Sequence, residues 1–142
     1  MLYYAAIILA ILSSMLYHVF IKLTPQGAHP AISLIVTYGL ALLLCAGMLL
    51  FFPLKTGLAD AFKQLNWATC ALALAIVGLE FAYILAYRAG WRLSIAAVFV
   101  NTTVTILLIP IGLLAFKEKL SWVNVAGVLV AVTGLIMMNA KG

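Results

Sequence analysis

Glu80 lies inside the run Trp67 to Tyr87, where almost every other side chain is apolar, while the two remaining acids, Asp60 and Glu118, fall in polar connections. A carboxylate in hydrocarbon costs about 2.5 to 3.5 kcal/mol on insertion scales, so a membrane helix that carries one commonly uses it on a substrate, an ion or a proton. The structural alternative is a protonated carboxyl that donates a hydrogen bond between helices. Residues three, four and seven apart share a helix face, which sets Tyr83, Ile84 and Tyr87 beside Glu80. A carboxylate edged by aromatic rings suits an organic cation, through charge and cation–π attraction together. Asn101 stands ten residues after Trp91 as Glu80 stands ten before Gly90. An antiparallel hairpin turning there places the two at similar depth, roughly 12 Å inside from Arg88 at 1.5 Å rise per residue. Tyr38, Tyr17 and His18 fall in the same half of their own apolar runs. Each has a plainer reading: Asn101 as interhelical glue, His18 as an interfacial histidine one turn before Lys22, and the tyrosines as packing.

The elements that must position these groups are membrane spans. The chain has 142 residues, of which 68% are hydrophobic and 8% charged, and its mean hydropathy is +1.27. Soluble domains average about 45 to 50% apolar and about 25% charged. A span needs about 20 apolar residues. Five stretches qualify: Leu2 to Leu23, Ala31 to Phe52, Trp67 to Tyr87, Ser94 to Phe116 and Ser121 to Asn139. The expected fold is an all-α membrane protein of five transmembrane helices, forming one domain over residues 1–142. The first run has no Lys or Arg ahead of it and is long enough to span, so it reads as a helix rather than a cleaved leader.

Pro25, Gly27 and Pro30 punctuate the start of the second span, with Pro30 in its first turn, and Pro53 stops it. In the long connection that follows, Leu58, Phe62 and Leu65 lie opposite Asp60, Lys63 and Gln64, the pattern of a short amphipathic helix in the interface. The third and fourth spans join through Arg88-Ala89-Gly90-Trp91-Arg92, with Gly90 suited to a left-handed cap and Ser94 to the next N-cap. Ser121 is the expected cap of the fifth. In the first span Tyr3, Ala6, Ala10, Ser13 and Tyr17 form a stripe whose small or polar members can line a cavity. In the fourth, Pro110 leaves the Ile106 carbonyl without its helical donor, which marks it as the expected hinge. Cys45 and Cys70 read as small buried hydrophobes, neither a disulfide nor a metal pair.

The net charge of +5 does not point to nucleic acid, because the basic residues sit at helix ends among lipid headgroups. Lys55, Lys63, Lys117 and Lys119 fall on one side of the membrane, and Lys22, Arg88, Arg92 and Lys141 on the other. With four basic residues on each face, the positive-inside rule expresses no preference. Dual topology, and pairing with an inverted copy, are compatible with that balance.

The segment Phe116-Lys117-Glu118-Lys119-Leu120-Ser121, followed by Gly127-Val128-Leu129-Val130-Ala131-Val132-Thr133-Gly134, resembles the end of an EamA-type repeat of the drug/metabolite transporter superfamily. Gly127 and Gly134 lie on one helix face, where the related small multidrug resistance proteins make their dimer contact. The resemblance implies half of a ten-helix transporter, completed by an antiparallel homodimer or by a paralogous partner. It also implies a prokaryotic cytoplasmic (inner) membrane. One departure matters. Those small relatives carry their coupling glutamate in the first helix, where this chain has Ser13 and Ser14, so Glu80 is read from this sequence and not carried over.

The expected activity is export of a small organic compound or metabolite, cations included, by proton antiport. Glu80 would exchange proton for substrate, and Tyr83, Tyr87, Tyr38, Tyr17, Ser13, His18 and Asn101 would supply the rest of the site. Two rivals stay open: flipping of a lipid-linked or amphipathic substrate without proton coupling, and a non-transporting subunit of a larger complex. No nucleophile-and-base pair, metal-ligand spacing or phosphate-cradling loop is present, so neither an enzyme nor a cofactor is expected.

Overall fold

The computed structural model describes residues 2–117, 119 and 121–139. Glu118, Leu120 and Lys141, which enter the loop motif and the charge count, lie outside the described residues, as does the side chain of Tyr3. Six helices follow in order: α1 (Leu2–Leu23), α2 (Pro30–Met48), α3 (Leu58–Lys63), α4 (Trp67–Arg88), α5 (Leu93–Ala115) and α6 (Trp122–Asn139). Four stretches, Tyr4–Leu23, Pro30–Met48, Trp67–Arg88 and Leu93–Ala115, are long and apolar enough to cross a membrane, with mean hydropathy from 2.0 to 2.1. In α6 the apolar stretch described is shorter, Trp122–Gly134. Lipid offers backbone groups no hydrogen-bond partner, and helices satisfy them internally. The all-helical architecture is compatible with a multi-pass integral membrane protein. Large side chains such as Leu42, Leu74 and Leu114 stand fully outward along these helices, a surface suited to acyl chains.

Local chemistry explains where the helices stop. Pro30 occupies the first turn of α2, where its missing N–H costs nothing. At the other end the sequence suggests a helix to Phe52, but α2 closes at Met48. Leu49 and Leu50 bond back three residues, to the Ala46 and Gly47 carbonyls at 3.2 and 3.1 Å. These tightened turns unwind the helix ahead of Pro53, which disfavours helical geometry at Phe52. The short amphipathic α3 forms as expected, with Lys63 and Asp60 paired at 3.1 Å on its exposed face. Asn66 caps α4, its side chain accepting from the Ala68 N–H at 2.9 Å, a cap the sequence reading passed over.

Gly90 takes a φ of +94° after α4, a left-handed conformation that glycine adopts without a Cβ penalty. Ser94 is not the next cap. The Ala96 N–H bonds to the Arg92 carbonyl at 2.9 Å, which makes Arg92 the N-cap and takes Ser94 into the first turn of α5. Ser121 does cap α6, its Oγ accepting from the Asn124 N–H at 3.2 Å. Cys45 and Cys70 are exposed on their helices rather than buried as their apolar surroundings in the sequence suggest.

The chain divides into two compact units, Met1–Ala89 and Gly90–Gly142. In the first, α4 packs against both α1 and α2. Its well-buried residues, His18, Leu34, Tyr83, Ile84 and Tyr87, come from all three helices. In the second unit α5 packs against α6, and Trp91 and Phe99 meet with ring centroids 5.8 Å apart.

Candidate functional site

A cavity of about 270 Å³ opens among α1, α2 and α4, lined by Tyr17, Phe20, Ile21, Thr24, Ser33, Leu34, Thr37, Glu80 and Ile84. Helical spacing accounts for the lining. Tyr17, Phe20, Ile21 and Thr24 fall at i, i+3, i+4 and i+7; Ser33 and Thr37 are one turn apart on α2, as Glu80 and Ile84 are on α4. Glu80 is half-buried at this wall. The Tyr17 hydroxyl at the same wall is buried with no hydrogen-bond partner among the described residues. Groups in that condition carry a desolvation cost until something satisfies them.

The two tyrosines expected to cradle a cation are placed otherwise. Tyr83 and Tyr87 are only 5% and 4% exposed and stack on each other at 5.7 Å between ring centroids. The His18 ring meets Tyr83 edge-on at 4.9 Å, and Tyr17 meets it at 6.1 Å. His18 is not the plain interfacial histidine its place near Lys22 suggests. It is 8% exposed, and its Nδ1 shares a 3.1 Å hydrogen bond with the Tyr87 hydroxyl. A histidine at i and a lysine at i+4 thus converge on one tyrosine, since Lys22 donates to the Tyr87 carbonyl at 3.4 Å and lies 5.2 Å from the centre of its ring.

Arg88 likewise departs from a headgroup-facing role. One of its terminal nitrogens donates to the carbonyls of Pro25 and Ala28, at 3.1 and 2.6 Å, so the end of α4 is fastened to the α1–α2 connection. The same connection carries Thr24, which lines the cavity. Tyr38 borders a second, apolar groove of about 490 Å³ with Ala31, Leu34, Ile35, Val77 and Phe81. Leu34 lines both spaces. Ser13 is exposed on α1 one turn before Tyr17.

Asn101 belongs to the second unit. With Thr102, Thr105, Ile106, Val128 and Ala131 it lines a cavity of about 160 Å³ between α5 and α6. The Thr105 hydroxyl donates to the Asn101 carbonyl at 2.8 Å. Pro110 sits inside a helix that continues to Ala115. A Cβ added at Gly127 or Gly134 would meet nothing within 4 Å, so neither glycine mediates a close contact among the described residues.

Phe20, Ile21, Thr24, Ser33, Leu34 and Thr37 were missed in the sequence, although the four-residue spacing of Ser33 and Thr37 was a readable polar stripe. No family model, curated protein or solved structure matches this chain. Its function must be read from its own residues.

Proposed function

We propose that the chain is a small secondary transporter of the drug/metabolite kind, which exports a small organic compound or metabolite in exchange for protons. The observation that carries this reading is the placement of Glu80, a lone acid at mid-span, on the wall of a cavity shared by three helices. Intramembrane acids at such places commonly serve as proton or substrate sites. In the proposed cycle Glu80 holds a proton while the cavity faces the proton-rich side and exchanges it for substrate while the cavity faces the other. Mutually exclusive occupancy couples the two fluxes. Five spans, with α6 as the last, would be completed by an antiparallel copy or a paralogous partner across the Gly127 and Gly134 face, in a prokaryotic cytoplasmic membrane. Pro110 would serve as the hinge of α5.

A second reading has one observation in its favour. The apolar groove beside Tyr38 adjoins the polar cavity at Leu34, as an amphipathic substrate with head and tail would require. Flux measurements on vesicles carrying the purified protein, with and without a pH gradient, separate the two. Antiport predicts substrate movement that follows the gradient and is lost in Glu80→Gln; flipping predicts movement indifferent to both.

A further inference from the structure

The lining of the Glu80 cavity points to the class of molecule it takes. We infer that the ligand is a small primary or secondary ammonium, held through its N–H donors, and not a quaternary ammonium or an amino acid; this rests on the cavity being the substrate site. Four observations converge. The volume of about 270 Å³ lies just under the range of about 300 to 1,000 Å³ usual for drug-sized ligands. The polar groups facing it can accept hydrogen bonds. An ionised carboxylate only accepts. Thr37 donates its hydroxyl proton to the Ser33 carbonyl at 3.0 Å and Thr24 donates to the Phe20 carbonyl at 3.3 Å, which leaves lone pairs for the cavity. The Tyr17 and Ser33 hydroxyls can accept as well as donate.

The chain's neighbouring cations are engaged elsewhere. Lys22 bonds at Tyr87 and Arg88 at Pro25 and Ala28, and neither lines the cavity. A ligand carboxylate would therefore meet Glu80 without a counter-charge. The rings best placed in sequence to hold a quaternary cation, Tyr83 and Tyr87, are closed against each other and His18. An ammonium with two or three N–H groups instead matches a carboxylate and several hydroxyl oxygens, and charge-assisted bonds of this kind are about twice as strong as neutral ones.

The test is calorimetric titration of the purified full-length protein with n-butylammonium, its N-methyl and N,N-dimethyl derivatives, butyltrimethylammonium, and the zwitterion norvaline. Affinity is expected to fall with each methyl added, by tenfold or more in total, and norvaline is expected to bind at least tenfold more weakly than n-butylammonium. Thr37→Val should weaken n-butylammonium and leave butyltrimethylammonium unchanged, a contrast that a folding defect cannot produce and that stands even where Glu80→Gln does not fold. Equal binding of n-butylammonium and butyltrimethylammonium, both abolished in Glu80→Gln, overturns the inference and leaves Glu80 as a cation site. Binding that a folded Glu80→Gln retains in full, or no binding of any amine, overturns the underlying reading as well.

Discussion

The α1, α2 and α4 unit and the α5 and α6 unit are similarly apolar and both carry threonines bonded one turn back, yet the first adds polar contacts that join separate elements. In the first, polar groups reach across the chain: His18 to Tyr87 over 69 residues, Lys22 to the Tyr87 carbonyl, Arg88 to Pro25 and Ala28. In the second, Thr103, Thr105 and Thr133 bond to the carbonyl one turn back in their own helix. Such local bonds remove a hydroxyl from lipid without specifying a neighbour. The difference shows what fixes a site in a membrane protein. Without a strong hydrophobic drive between helices, geometry is set by the few polar contacts that cross from one helix to another and by close packing around them. The cavity with Glu80 lies beside such contacts; the α6 glycine face has none described.

Four perturbations probe this contrast. Glu80→Gln should reduce proton-driven export to the level of protein-free vesicles, whereas Asn101→Ala should lower it no more than about tenfold, the loss of one or two ordinary hydrogen bonds. Vesicle flux measured on both variants checks this, and equal effects would erase the functional asymmetry. Next, Arg88→Ala should destabilise the protein by about 1.5 to 3 kcal/mol, because a charged donor is withdrawn from two carbonyls. Thr103→Val, a local bond, should stay within about 0.5 kcal/mol, and unfolding in mixed micelles compares the two. Tyr87→Phe should cost about 1 kcal/mol by leaving His18 without its partner. A double-mutant cycle with His18→Phe should return a coupling of about 0.5 kcal/mol or more; zero coupling would mean that the bond does not order this core. The smallest effect on the fold belongs to Gly127→Ala and Gly134→Ala. Open space surrounds both, so monomer stability should hold or rise by about 0.5 to 1 kcal/mol, while self-association measured by crosslinking should fall if the α6 face is the contact.

Much of this is legible in the sequence. The bounds of α1, the presence of α3, the Gly90 turn and the Ser121 cap follow from apolar run length, amphipathic spacing and the special chemistry of glycine and serine. Glu80 announces itself because a carboxylate is conspicuous among apolar side chains. What could not be read was rotation. Tyr83 and Tyr87 share the Glu80 face at three- and seven-residue spacing, but a helix face is broad, and only packing against α1 shows that they turn to His18 while the cavity lies with Ile84, Tyr17 and Thr37. Arg88 was misjudged for a related reason. A basic residue at a helix end looks bound for headgroups until the connection beside it is seen to offer two carbonyls within its reach. Apolarity alone carries α2 on to Phe52, because it does not show the backbone tightening to three-residue bonds at Leu49 and Leu50.

The most direct test of the central claim is proton release on ligand binding, followed in weakly buffered solution for wild-type protein and Glu80→Gln against organic cations, amino acids and polyamines. The account expects a ligand that releases protons from the wild-type protein and none from a folded Glu80→Gln. A ligand that binds and is transported with no proton released, equally well in both proteins, would contradict it.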